Sequence, residues 1–332
     1  MKICIWFNVT NQPWGGGNQF LRALSGALKK VGHQISHYPG DADVVLVNAH
    51  NVGADQLLYP GMVAQVRQTG GSTKLWPRFV PAVLWKLLPR RGPAIVHRLD
   101  GVAQLIRGKI TLADELVPAL NHLSDFTIFQ SHYSLQSFHS YNVRPESSII
   151  IFNGVDGERF YPRKLKRLPA KKIRLIAVSW SSNPRKGFAI LAKASQISGV
   201  EVQFAGRWCE AIDPLNVKIL GEKTSSELAE CMRESDAMIH AAENEPCSNA
   251  IIESLACGLP VLYLDSGGNR ELAGEYGVRI SNNLQDDIER LRADYLILRD
   301  KILASRTDFL IGPAAVKYVH AFEIALQLRA AR

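Results

Sequence analysis

Residues 243–262 read ENEPCSNAIIESLACGLPVL: acidic residues, a Pro-Cys-Ser-Asn turn, a short apolar-periodic run, then glycine and proline. Ser248 stands where a helix N-cap is wanted. Ile251, Ile252 and Leu255 recur on one face, and Gly258 with Pro260 supplies the stop. The run Val261 to Leu264 behind it reads as a buried strand, so the stretch is the helix-to-strand half of a βα repeat. Main-chain amides at such a helix entrance carry partial positive charge and suit an anion or hydroxyl oxygens. Glu245 precedes the turn and Glu253 lies on the helix. Acids placed there can simply offset the helix dipole, worth roughly 0.3–1 kcal/mol each. The alternative is that they accept hydrogen bonds from different parts of one polyhydroxylated ligand.

Outward from this stretch the alternation of β-branched runs and helix-period runs continues in both directions. Strands are expected at Ile173 to Val178, Val202 to Ala205 and Ala237 to His240, with helices at Phe188 to Ser198, Ser226 to Arg233 and Asn249 to Cys257. The front half repeats the pattern, with strands at Lys2 to Asn8, Val44 to Asn48, Ala94 to Arg98, Phe126 to Gln130 and Ser148 to Phe152. Leu21, Leu24, Ala27, Leu28 and Val31 mark a helix that Gly32 ends. After Tyr161 the charged, proline-bracketed run PRKLKRLPAKK reads as a linker. The expected architecture is α/β, with doubly wound domains at residues 1–160 and 161–312 and a last helix in 313–332 that packs on either of them. Two such sheets leave a deep crevice, and ligands bind beyond the carboxyl ends of their strands.

The 332 residues suit two domains, and a hydrophobic share of 46% can fill two cores. No run approaches the roughly 18 apolar residues of a spanning helix. MKICIWFN lacks the basic head and cleavage site of a signal peptide, which points to the cytoplasm. Five cysteines without a CxxC argue against a disulfide framework and a zinc site. A net charge of +8 calls for a polyanionic partner: a phosphate ester, an anionic membrane surface or nucleic acid. Nothing resembling a helix-turn-helix, zinc or aromatic-platform motif supports the last.

Two further strand exits carry candidate chemistry. NVTNQPWGGGNQF brings Gly15, Gly16 and Gly17 to the head of the first helix, where backbone can approach a phosphate or sugar closely. It is neither GxGxxG nor GxxxxGK[ST], so dinucleotide and P-loop readings lose support. VSWSSNPRKGF sets Arg185 and Lys186 before Gly187, two cations that suit a diphosphate or form a solvated pair. Asp41-Ala-Asp43 has the spacing of a metal-binding pair but opens a strand, and a structural role is favoured. In residues 74–92, KLWPRFVPAVLWKLLPRRG, aromatic and basic residues interleave. That mixture suits an anionic membrane surface, or packing on its own domain or on a second subunit.

These motifs together resemble family 4 retaining glycosyltransferases of the GT-B fold. The resemblance rests on Glu245-x7-Glu253 with LACGLPVL and SGGNRE after it. It extends to the glycine loop, HRLDG at 97–101, NGVD at 153–156 and the Lys186-Gly187 pair, all in matching order. It implies a nucleotide-diphosphate sugar held mainly by the second domain, with a glycan or lipid-linked acceptor entering from the first. Glu253 would hold the ribose hydroxyls, Glu245 the transferred sugar, and the amides of Ser248 and Asn249 the phosphate or sugar. Lys186 would neutralise the leaving diphosphate, with Gly16 and Gly17 approaching it and His97 against the sugar. Asp100, Arg98 and Asn153 are the acceptor-side candidates. The family arginine near Trp180 to Ser182 is missing, and Arg185 or Arg207 is expected to replace it.

The implied reaction retains anomeric configuration and needs no metal or other cofactor, because a lysine, an arginine and helix amides carry the phosphate charge. Cell-surface polysaccharide or glycoconjugate synthesis is the implied setting, at the inner membrane face if residues 74–92 dock there. The alternatives are a nucleotide-sugar epimerase or phosphorylase on the same scaffold, or a non-catalytic sugar-nucleotide binder.

Overall fold

The computed structural model describes residues 1–10, 16–53, 56–69, 92–163 and 172–331. Gly15 and nearly all of the 74–92 stretch lie outside these residues, as does most of the linker.

The front half forms a parallel sheet ordered β2-β1-β3-β4-β5-β6. Its strands are β1 Lys2–Ile5, β2 Gln34–Ser36, β3 Val44–Asn48, β4 Ala94–Leu99, β5 Phe126–Phe129 and β6 Ser148–Ile150. Helices α1 Gly16–Lys30, α2 Pro60–Thr69, α3 Ala103–Arg107, α4 Leu112–His122 and α5 His132–Ser140 accompany it. Every residue of β3 and β4 is buried, as a central parallel strand covered by helices on both faces must be.

The back half repeats the design in the order β12-β11-β10-β7-β8-β9. Here β7 is Ile173–Ser179, β8 Val200–Gly206, β9 Lys218–Gly221, β10 Ala237–His240, β11 Val261–Tyr263 and β12 Gly277–Arg279. The helices are α6 Phe188–Ala194, α7 Ser225–Glu234, α8 Asn249–Ala256, α9 Asn269–Ala273, α10 Leu284–Ala293 and α11 Tyr295–Ala304. Strands β2, β9 and β12 escape the sequence pattern. All three are sheet edges of three or four residues, half exposed, so no continuous apolar run marks them. The first strand is shorter than the run that announces it. Phe7 N–H turns back to the Ile5 carbonyl at 2.7 Å, and Asn8 N–H bonds Val52 at 2.7 Å.

The last helix, α12 Ile311–Ala331, returns to the front sheet. Ala314, Ala315, Tyr318, Ala321, Phe322 and Ala325 bury against Phe20, Leu24, Leu46, Val96 and Ile128. Pro313 sits inside its first turn, where a missing N–H costs nothing. The chain therefore crosses between lobes twice, and the crossings pair. Val155 N–H donates to the Phe309 carbonyl and Ile311 N–H to the Val155 carbonyl, both at 2.9 Å. No helix among the described residues is long and apolar enough to cross a membrane.

Asp41 and Asp43 clamp the far end of the front sheet. Asp43 Oδ2 accepts from Lys2 N–H at 2.7 Å, and Asp41 pairs with the Lys2 ammonium. That is the amino-terminal edge of β1, opposite the crevice.

Candidate functional site

The carboxyl ends of both sheets face a cavity of about 490 Å³ between the lobes. Its back-lobe wall starts at α8. Ser248 Oγ accepts from Ile251 N–H at 3.4 Å, so the cap forms where the sequence puts it. Ser248, Asn249, Glu245 and Glu253 all line the cavity.

Lys186 comes from the exit of β7 through a single 3-10 turn, Pro184–Lys186, that Asn183 caps at 3.0 Å. Gly187 then takes φ +82°, a left-handed conformation, and packs so tightly on Ala241 that any Cβ would lie 2.2 Å from its carbonyl oxygen. This turn drives the Lys186 ammonium onto the Glu245 carboxylate in a half-buried ion pair. Burial pulls the Lys186 pKa down to about 8. That value still lies above neutral pH, so the ammonium carries its charge there. Glu253 is 8% exposed, and burial pushes its pKa up to about 8, with the positive charge of Arg159 acting against the rise. The floor thus holds a cation-acid pair beside a carboxyl group whose pKa burial raises above neutral pH.

The front-lobe wall is contributed by Gly16 and Gly17, Arg98, Asp100, Gln130 and Asn153. Arg98 is 1% exposed and spreads its donors over Tyr318 Oη at 3.1 Å, Asn48 Oδ1 at 2.6 Å and Asn153 Oδ1 at 2.8 Å. Its guanidinium also lies 4.4 Å from the Phe20 ring centroid. None of these partners is a carboxylate, so its charge stays available to the cavity's electrostatic field. Asn153 Nδ2 passes the network on to Asn249 Oδ1 at 2.8 Å, across the lobe boundary. Asp100 Oδ1 accepts from Gly101 N–H at 2.9 Å, the turn chemistry of an Asp-Gly pair.

Three expected residues do not line the cavity. His97, expected against a donor sugar, is fully buried within β4. Its Nε2 donates to the Ala49 carbonyl at 2.8 Å, and Asn121 Nδ2 stands 3.2 Å from Nδ1. Both nitrogens are spent inside the lobe, and burial lowers the pKa to about 4. Arg185, one residue before Lys186, points the other way and donates to the Leu105 carbonyl at 3.2 Å, bridging the lobes. Arg207 lies over the Trp180 ring at 4.8 Å and pairs with Glu222 on the half-exposed rim.

The cations that do line the cavity with Lys186 are Arg98, Arg107 and Lys223. Lys223 and Arg107 were not legible as site residues, nor was His240 at the end of β10. Lys223 had a signal, since it precedes the Thr224–Glu227 capping box that opens α7 at yet another strand exit. Cys247 also lines the cavity, but burial pushes its thiol up to about 12, leaving it no nucleophile at neutral pH.

Residues 201–304 match the family model of glycosyl transferases group 1. No curated protein matches the chain. Among solved structures, sucrose-phosphate synthase (tll1590) from Thermosynechococcus elongatus superposes with a TM-score of 0.68 at 16% identity, covering 100% of both chains. Anabaena Alr3699/HepE, in complex with UDP, reaches 0.66 at 15% identity over 97% of this chain and 100% of that one. A glycosyltransferase from Rickettsia africae reaches 0.64 at 14% identity over 98% of each. Two six-stranded parallel sheets facing one cleft give this chain the GT-B fold of these structures, and its helix-capped Glu245 to Glu253 stretch lies inside the segment that matches the glycosyl transferases group 1 model.

Proposed function

We propose that the protein is a retaining glycosyltransferase that moves a sugar from a nucleotide-diphosphate sugar to a glycan or lipid-linked acceptor without a metal ion. The observation that carries this reading is the convergence of Lys186, Glu245, Glu253 and the α8 entrance on one interlobe cavity. Breaking the bond between an anomeric carbon and phosphate leaves negative charge on a departing diphosphate, which a buried ammonium and helix amides stabilise more strongly as it develops. Glu253, whose pKa burial raises to about 8, suits ribose hydroxyls because a neutral carboxyl both donates and accepts. Glu245, tethered by Lys186, suits the hydroxyls of the transferred sugar. The structural neighbour HepE is known with UDP-glucose bound, which favours a nucleotide sugar as the donor class.

A thermal-shift screen against UDP, GDP, ADP and CMP sugars tests the reading, since a ligand of the native state raises its melting temperature. Donor hydrolysis or transfer should accompany the shift, and Glu253→Ala should abolish it. A shift without turnover would favour the sensor reading, to which the Ser181 and Ser182 positions, lacking the family arginine, lend weight. Inner-leaflet docking through residues 74–92 is part of the proposal. It is checked by liposome flotation of the intact protein against a Trp76, Phe79, Trp85 triple alanine variant.

A further inference from the structure

His240 ends β10, the strand that leads to Glu245, and lines the cavity beside Lys186. The residue is 6% exposed, and its Nε2 is sealed from solvent without a hydrogen-bond partner. Among the described residues that line the cavity, it alone presents such an atom. Folding has thus stripped a polar nitrogen of water and offered no protein group in return, an arrangement that persists where a ligand completes the bond. Burial and the neighbouring Lys186 charge bring the imidazole pKa down to about 3, so the ring stays neutral and does not repel that lysine. A leucine of similar size at this position would avoid the desolvation cost of an unpaired nitrogen, so packing alone does not account for a histidine here.

We propose that His240 is a donor-contacting residue whose Nε2 hydrogen-bonds an oxygen of the sugar-diphosphate group seated against Lys186. The assignment rests on the transferase reading above. Its oxygen partner is either a phosphate oxygen or a sugar hydroxyl, and nucleotides of increasing length tell them apart.

The test compares wild type, His240→Leu and His240→Gln by melting temperature without ligand and by titration calorimetry with UMP, UDP and UDP-glucose. The guanosine and adenosine series run in parallel, and the series that raises the wild-type melting temperature is read. His240→Leu should melt no lower than wild type, because an orphaned polar atom has been removed, and should bind the monophosphate within about twofold of wild type. Its affinity for the diphosphate and for the nucleotide sugar should fall about tenfold, equivalent to one hydrogen bond. A loss confined to the nucleotide sugar assigns the contact to a sugar hydroxyl. His240→Gln, which returns an N–H near the Nε2 position, should recover most of the affinity. Unchanged affinity for all three ligands overturns the proposal. So does a parallel loss for the monophosphate with a lowered melting temperature, which marks a structural residue. If wild type binds no series, the transferase reading fails and this assignment falls with it, whereas normal wild-type binding with an unaffected leucine variant removes His240 alone.

Discussion

The side-chain amide of Asn249 donates to the main-chain carbonyl of Gly16 at 2.6 Å, tying the first turn of α8 in the back lobe to the first turn of α1 in the front lobe. Its Oδ1 accepts from Asn153 in the interlobe crossing at 2.8 Å. One side chain therefore joins both lobes and the crossing segment, at the entrance of the helix that faces the cavity. A Cβ on Gly16 would lie 2.9 Å from the Asn249 amide nitrogen, so a side chain there would push that amide aside.

Asn249→Ala should accordingly open the cleft more than it unfolds the protein. Two partly exposed hydrogen bonds are worth about 0.5–1.5 kcal/mol each at most. The expected result is a small drop in urea midpoint and a larger radius of gyration by small-angle scattering. An unchanged radius would show that Glu271, which accepts from His132 and Tyr133 N–H at 2.8 and 2.7 Å, holds the lobes without it.

Gly187→Ala should cost at least about 3 kcal/mol of stability. Its φ of +82° disfavours a side chain, and the new Cβ would meet the Ala241 backbone, which cannot move without displacing β10. Equilibrium denaturation measures the loss, and a variant as stable as wild type would refute the packing described for the Lys186 turn.

Stability should depend on pH through Glu253. Between pH 4.5 and about 8 the folded protein keeps this proton while the unfolded chain has released it, so stability falls as pH rises through that window. The loss is complete above about pH 8. Glu253→Gln cannot ionise, so it should match wild type near pH 5 and exceed it near pH 8.5 by a few kcal/mol, at about 1.4 kcal/mol per unit of displacement. A difference that stays constant with pH would contradict the burial of this carboxyl.

Lys186→Met should lower kcat/KM for the donor by about 10²–10³, the range for removing one preorganised group facing developing charge. The effect should fall mainly on kcat, because the charge is larger in the transition state than in the bound donor. Steady-state kinetics with whichever nucleotide sugar the thermal screen selects will measure it. A change in KM alone would make Lys186 a binding group only.

His97→Ala should act on folding, not on donor recognition. It leaves the Ala49 carbonyl and the Asn121 amide without their buried partner, at about 1–3 kcal/mol. Donor affinity measured at a temperature where the variant is folded should stay near wild type, and a selective affinity loss would return His97 to the site.

The alternation of buried strands and amphipathic helices was written in the chain because burial imposes its period on residues locally. The central strands Val44–Asn48 and Ala237–His240 carry the same bounds in sequence and structure for that reason. The Ser248 cap and the Gly258 stop of α8 belong to the same local physics. Direction of side chains from loops and strand ends was a different matter. Arg185 and Lys186 are neighbours of like charge, yet one reaches a front-lobe carbonyl and the other the cavity, because the Pro184–Lys186 turn that carries both is fixed by Gly187 against Ala241. His97 and His240 both end or nearly end central strands. Residues distant in the chain decide which ring is satisfied internally, Ala49 and Asn121 serving His97 and no protein group serving His240 Nε2. Local periodicity determines what forms, while the partners available to a buried polar atom are set by long-range packing, and only the folded chain brings them together.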